Sequence, residues 1–131
     1  MNIAAPAVRS KVRPVPAIGK CGGALPDMAN AIRWAAGNTV TIPGVTVPNN
    51  AANAAKVIYI GAGTVPGEPC GQTLQGAIDA AISAGSVVIA PTGNHGELNI
   101  SSPANCNGVI SVTAHSINGE STQYANIGPN G

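Results

Sequence analysis

The sequence predicts an α/β fold, a three-layer αβα sandwich built around a mainly parallel sheet. Three observations predict it. Three short apolar runs are rich in β-branched residues: Val57-Ile58-Tyr59-Ile60, Val87-Val88-Ile89-Ala90 and Val109-Ile110-Ser111-Val112-Thr113. Two other segments carry apolar residues at helical spacing. Strands and helices alternate along the chain, as they do in parallel sheets with right-handed crossovers.

The first element is a weaker strand candidate at Val12–Ile18. Pro14 and Pro16 remove two ladder donors there, so the strand is expected to be distorted or at an edge. A helix follows over Pro26–Ala36, with Met28, Ala31, Ile32 and Ala35 on one face. Pro26 suits its first position, Asp27 favours the positive helix end, and Gly37 closes it. Between Gly37 and Ala55 a Thr-, Pro-, Asn- and Val-rich stretch has no helical period and reads as a loop or small hairpin. The second helix spans Thr73–Ala84 on Leu74, Ala77, Ile78, Ala81 and Ile82, and ends at Gly85. The first two apolar strands show no alternation, which is expected when helices cover both sheet faces.

Composition narrows the function classes. The chain has 131 residues, the size of one domain, without internal repeats or a visible boundary. Its apolar content of 44% is mostly Ala, Val and Ile, with no Phe, one Trp and two Tyr, so its core must be closely packed. Charged residues make up 8% and the net charge is +1, which excludes a strong footprint for nucleic acid or an anionic membrane. No apolar run approaches the ~20 residues of a membrane span. Residues 1–20 carry Arg9, Lys11, Arg13 and Lys20 without a following apolar block, so they are not a signal peptide. A secreted parent would carry its signal upstream. Cys21, Cys70 and Cys106 give one pair and one orphan in an extracellular setting, or three buried thiols in a reducing one.

Parallel α/β sheets bind ligands beyond the carboxyl ends of their strands. Two of the strands end in glycine-containing loops, Gly61-Ala62-Gly63-Thr64 and Pro91-Thr92-Gly93-Asn94-His95-Gly96. Parallel strands would bring both loops to one edge. Asn94 then offers an amide donor and His95 an imidazole at that rim. A pair of ordinary tight turns would look the same in sequence.

The wording of the chain resembles the bacterial secreted subtilases, the subtilisin-like serine proteases. The strings that carry the resemblance include Gly19-Lys20-Cys21-Gly22-Gly23 and Asp27-Met28-Ala29-Asn30-Ala31-Ile32-Arg33-Trp34-Ala35-Ala36-Gly37. Gly85-Ser86-Val87-Val88-Ile89-Ala90 then leads to Gly93-Asn94, and Ser102-Pro103-Ala104-Asn105-Cys106-Asn107-Gly108-Val109-Ile110-Ser111-Val112 follows. Tyr124-Ala125-Asn126-Ile127-Gly128 comes last. Nearly the whole chain is covered, in family order.

The resemblance implies a partial subtilisin-like fold, with residues 1–131 as one part of a catalytic domain from a secreted enzyme acting on peptides or proteins. It implies that Asn94 is the oxyanion-hole asparagine. It implies that Gly61, Ala62 and Gly63 pair with an extended substrate and wall the S1 pocket, and that Pro91, Thr92 and Gly93 form the opposite wall with His95 at its rim. It also implies a disulfide between Cys21 and Cys70, leaving Cys106 to pair beyond residue 131. The family's catalytic Asp and His would precede this region and its Ser would follow it; no motif for any of the three occurs in these residues. The chain departs from the family at Pro16, Tyr59, Gly61–Thr64 and Pro91–Thr92.

Other classes fit less well. A weak esterase- or lipase-like serine hydrolase would need His95 or His115 paired with Ser101, Ser102, Ser111 or Ser116, and no G-x-S-x-G elbow is present. Residues 61–67 lack the helix-embedded third glycine of a dinucleotide fingerprint. No short spacing offers two zinc ligands. No cofactor is called for. Calcium is the ion the resemblance brings up, but Asp27, Glu68, Asp79, Glu97 and Glu120 form no ligand-spaced cluster. The remaining class is a non-catalytic remnant that associates with itself through exposed sheet edges.

Overall fold

The computed structural model describes residues 9–128. Its centre is a three-stranded parallel sheet of β3 (Val57–Tyr59), β4 (Val87–Pro91) and β5 (Val109–Val112), in that order. The register sets Ile58 beside Val88 and Val88 beside Val109. Helix α1 (Leu25–Ala35) precedes this sheet, and α2 (Gln72–Ser83) makes the crossover from β3 to β4. The α/β class and the parallel sheet are as the alternation predicts.

Between α1 and β3 lies the hairpin allowed for by the sequence. Strands β1 (Val40–Ile42) and β2 (Val45–Val47) pair antiparallel around Pro43-Gly44, and a single 3-10 turn follows at Ala51–Asn53. Trp34, at the end of α1, anchors this region. Its indole N–H donates to the Pro48 carbonyl at 3.1 Å, and the Asn49 side chain donates to its carbonyl at 2.6 Å. The Arg13 guanidinium sits over its ring, 5.5 Å from the centroid.

The core lies on one face of the sheet. Ile58, Val88 and Ala90 point into it from β3 and β4 and are buried. Met28, Ala29 and Ile32 of α1 and Leu74, Ala77, Ile78 and Ala81 of α2 close over them. Ala29, Ala77 and Ala81 are fully buried, so the two helices approach closely through alanine faces. That is how a chain without Phe still fills its interior: short side chains allow short interhelical distances and dense packing.

Two expectations change. Among the described residues both helices lie on this one face. The other face carries Val57, Tyr59, Val87, Ile110 and Val112, all exposed, Tyr59 to 70%. The unbroken apolar runs therefore reflect a sheet with two apolar faces, of which the described residues cover one. Secondly, Val12–Ile18 forms no strand. It runs outside the sheet, separated from β3 and α1 by a groove of about 1070 Å³ that Met28, Ile32, Val57 and Tyr59 help to line. Pro14 and Pro16 cannot donate to a ladder, so nothing draws this segment onto the β3 edge.

Candidate functional site

The two glycine-containing loops leave the sheet together. β3 and β4 are parallel neighbours, and the Ile60 N–H continues the ladder by donating to the Ile89 carbonyl at 2.9 Å. Residues 61–64 and 92–96 thus emerge at the same carboxyl edge. Gly61 and Gly63 are exposed, while Ala62 is half-buried against the core. Pro91 ends β4, Thr92 is buried beneath the surface, and Gly93 is half-buried. Asn94 and His95 are exposed at the tip. The Asn94 carboxamide makes no hydrogen bond within the described residues.

A third segment bridges the two loops. The Ser101 N–H donates to the Thr92 carbonyl at 2.9 Å, and the Thr64 N–H donates to the Ser102 carbonyl at 2.8 Å. The Ser102 N–H returns to the Thr64 hydroxyl at 3.2 Å. Ser101 lies between the walls: a Cβ on Gly63 would come 3.1 Å from the Ser101 Cβ, and one on Gly93 would come 2.8 Å from the Ser101 hydroxyl. The Ser101 and Thr92 hydroxyls are buried and have no hydrogen-bond partner among the described residues.

The segment 124–127 supports the tip from beneath. Asn126 is fully buried, and its side-chain oxygen accepts from the His95 N–H at 2.8 Å and the Glu97 N–H at 3.2 Å. Its amide donates to the Thr92 carbonyl at 3.2 Å. In the sequence, Asn126 and Ser102 stand out as members of matching strings, and Ser101 and Ser102 as candidate nucleophiles. Their supporting roles depend on contacts 29 to 38 residues apart in sequence, which local pattern does not show.

The alternative serine–histidine pair is not assembled. The His115 Nδ1 bonds the Ser116 carbonyl, and no hydrogen bond joins either histidine to a serine hydroxyl among the described residues. The Ser102 hydroxyl donates to the Glu68 carbonyl or the Asn105 side-chain oxygen, and that of Ser111 to the Ala104 carbonyl. No group of three His, Cys, Asp or Glu side chains that could hold a metal ion occurs among the described residues.

The disulfide expectation is corrected. Cys70 pairs with Cys106, with their Cα atoms 5.1 Å apart, and Cys21 is a free, exposed thiol. The reason lies in the neighbouring segments. The Asn105 side chain donates to the Glu68 carbonyl at 2.6 Å, and Gln75 exchanges hydrogen bonds with the Asn107 backbone at 2.9 and 3.1 Å. Residues 68–75 and 105–107 are therefore stitched side by side, which places the two cysteines opposite each other. Cys21 sits in a turn closed by Gly19 and Gly22, ahead of α1.

The fold and this edge define an α/β domain whose two paired loops are tied together over the buried Ser101–Ser102 segment. The family model "Peptidase_S8: Subtilase family" matches residues 3–131, and the chain belongs to that family. It is 43% identical over 129 residues to an extracellular protease of Xanthomonas campestris, covering 97% of this chain and 21% of that protein. It is 32% identical to an extracellular basic protease of Dichelobacter nodosus, covering 98% of this chain and 20% of that protein. A solved protease from Pseudoalteromonas arctica superposes with a TM-score of 0.81 at 40% identity, over 95% of this chain and 35% of the other. The chain thus spans about a fifth of the length of these curated relatives. No helix among the described residues is long and apolar enough to cross a membrane.

Proposed function

We propose that residues 1–131 form part of the catalytic domain of a secreted subtilisin-like serine endopeptidase and supply its oxyanion donor and substrate cleft. The carrying observation is the shared edge: two loops from adjacent parallel strands, tied across a Ser101–Ser102 floor, with an unengaged Asn94 carboxamide at the tip. An extended peptide lies along Gly61–Gly63, and its side chain enters between that wall and Pro91–Gly93, with His95 at the rim. The Asn94 amide donates to the acyl oxygen. In acyl transfer such a donor acts on the negative charge that develops on the carbonyl oxygen. Proteins and peptides are the substrates, and the relatives named as extracellular proteases support secretion.

The test is binding of a cleaved product. A peptide ending in a free carboxylate is titrated into the 15N-labelled chain, and the Asn94 side-chain amide is followed by NMR. Saturable movement of that signal is expected, with Asn94→Ala weakening binding about tenfold, the loss of one charge-assisted hydrogen bond. Equal affinity of wild type and variant would sink the assignment.

Among the described residues one sheet face is exposed and apolar and β3 has no strand on its outer side; these features support a second property, self-association of this chain in isolation. An exposed apolar surface next to an unpaired strand edge is a template for further pairing. Gel filtration across a concentration series is expected to show concentration-dependent oligomers, reduced by Ile110→Thr with Val112→Thr. A clean monomer at high concentration contradicts it.

A further inference from the structure

We infer that Asn126 is the positioning residue of the candidate oxyanion loop, setting the shape of residues 92–97 so that Asn94 can receive the acyl oxygen. The inference rests on the oxyanion reading of Asn94 and adds the device that holds it.

The loop is exposed from Asn94 to Asn99, yet its backbone is tied down at several points. The Asn126 N–H donates to the Gly93 carbonyl at 3.0 Å, the Gly96 N–H to the Tyr124 carbonyl at 2.8 Å, and the Ile127 N–H to the Glu97 carbonyl at 2.9 Å. The Asn126 side chain then enters the loop and satisfies the His95 and Glu97 N–H groups with one oxygen and the Thr92 carbonyl with its amide. The Thr113 hydroxyl donates to the Asn126 carbonyl at 3.2 Å and fixes the residue from the far side. Asn126 therefore hydrogen-bonds residues on both sides of Asn94 in sequence and makes no hydrogen bond to Asn94 itself.

The residue type follows from this geometry. The site needs an acceptor with two lone pairs beside a donor, and a carboxamide provides both on one planar group. A carboxylate has two acceptors and would oppose the Thr92 carbonyl. An alanine would leave the His95 and Glu97 N–H groups without this partner and the Thr92 carbonyl with the Ser101 N–H alone. Gly93 completes the fit: a Cβ there would collide with the Asn126 amide nitrogen.

The experiment measures amide hydrogen exchange on the full 15N-labelled chain, expressed as protection factors. In the wild type, His95 and Glu97 are expected to be protected although their loop is exposed. In Asn126→Ala their protection should fall a hundredfold or more, while Ile60 and Thr92, which sit in the ladder, stay protected. Affinity for the product peptide should drop to that of Asn94→Ala. Asn126→Asp supplies the rescue and guards against a variant that fails to fold. The introduced carboxylate keeps the acceptor for the His95 and Glu97 N–H groups and loses only the donor to the Thr92 carbonyl. Protection at His95 and Glu97 should therefore be recovered in part relative to Asn126→Ala. Unchanged protection in Asn126→Ala, or lost protection with full product affinity, overturns the inference. Wild-type affinity in Asn94→Ala overturns the oxyanion reading instead, and the protection pattern then still reports whether Asn126 anchors the loop.

Discussion

Gly93→Ala is expected to destabilise the protein by about 4 kcal/mol and to abolish product binding at the candidate cleft. Two physical effects add there. Gly93 has φ of +115°, a backbone region nearly closed to residues with a Cβ, at a cost of about 1–3 kcal/mol. The new methyl would also collide with the Asn126 amide and lie 2.8 Å from the Ser101 hydroxyl. Neither neighbour can retreat. Asn126 is fully buried and Ser101 is 1% exposed. Moving Asn126 sacrifices three hydrogen bonds, each worth about 1 kcal/mol net. The control is Gly85→Ala. Gly85 has φ of +86° but open space where its Cβ would stand. It should therefore lose only the backbone part, about 1 kcal/mol. Urea unfolding of both variants separates strain from collision. Equal losses at the two positions would show that the cleft is not packed as described.

This contrast marks the boundary of what the sequence made legible. Helices α1 and α2 were readable because Met28, Ile32, Leu74, Ala77, Ile78 and Ala81 repeat at helical spacing, and that spacing is set by the backbone alone. The three strands of the sheet were readable as short β-branched runs. The placement of 61–63 beside 91–93 followed from one topological rule, that consecutive parallel strands end at the same edge. The Ser101–Ser102 floor and the Asn126 anchor were not readable. They arise from contacts between segments that meet only after the sheet forms, and a serine or asparagine in a loop has many other uses. Which face of the sheet the described residues cover was not readable for a related reason. A strand such as Val57–Tyr59 is apolar on both sides whether or not its second face is covered, because composition records what a surface suits and not what lies on it. Val12–Ile18 reads as a strand by residue type, but pairing needs a neighbour and free N–H groups, and its prolines remove two.

The cysteine pairing is the other large prediction, because three cysteines allow three pairings and local pattern favours none. Reduction of the Cys70–Cys106 bridge, or Cys106→Ser, is expected to cost about 4 kcal/mol. The bridge closes a sequence separation of 36 residues, and in the chain-entropy account a loop of that size restrains the unfolded state by roughly that amount. For a domain whose net stability is on the order of 5–15 kcal/mol, this is a large share. The thermal midpoint should fall by roughly 15–20 °C. Cys21→Ser should change stability by less than about 0.5 kcal/mol, as for an exposed side chain without partners. The loss will also reach the cleft. Cys106 follows Asn105, which holds Glu68 and Ser102, and the Ser101–Ser102 floor sits immediately ahead of that segment. Once the bridge opens, the floor depends on hydrogen bonds alone, so product affinity should weaken before the sheet unfolds. Non-reducing digestion and mass spectrometry decide the pairing itself. A peptide linking Cys70 to Cys106, with Cys21 open to alkylation, is the expected result. A Cys21–Cys70 link would mean that the stitched segments 68–75 and 105–107 do not meet as described, and the supporting role of Asn105 would fall with them.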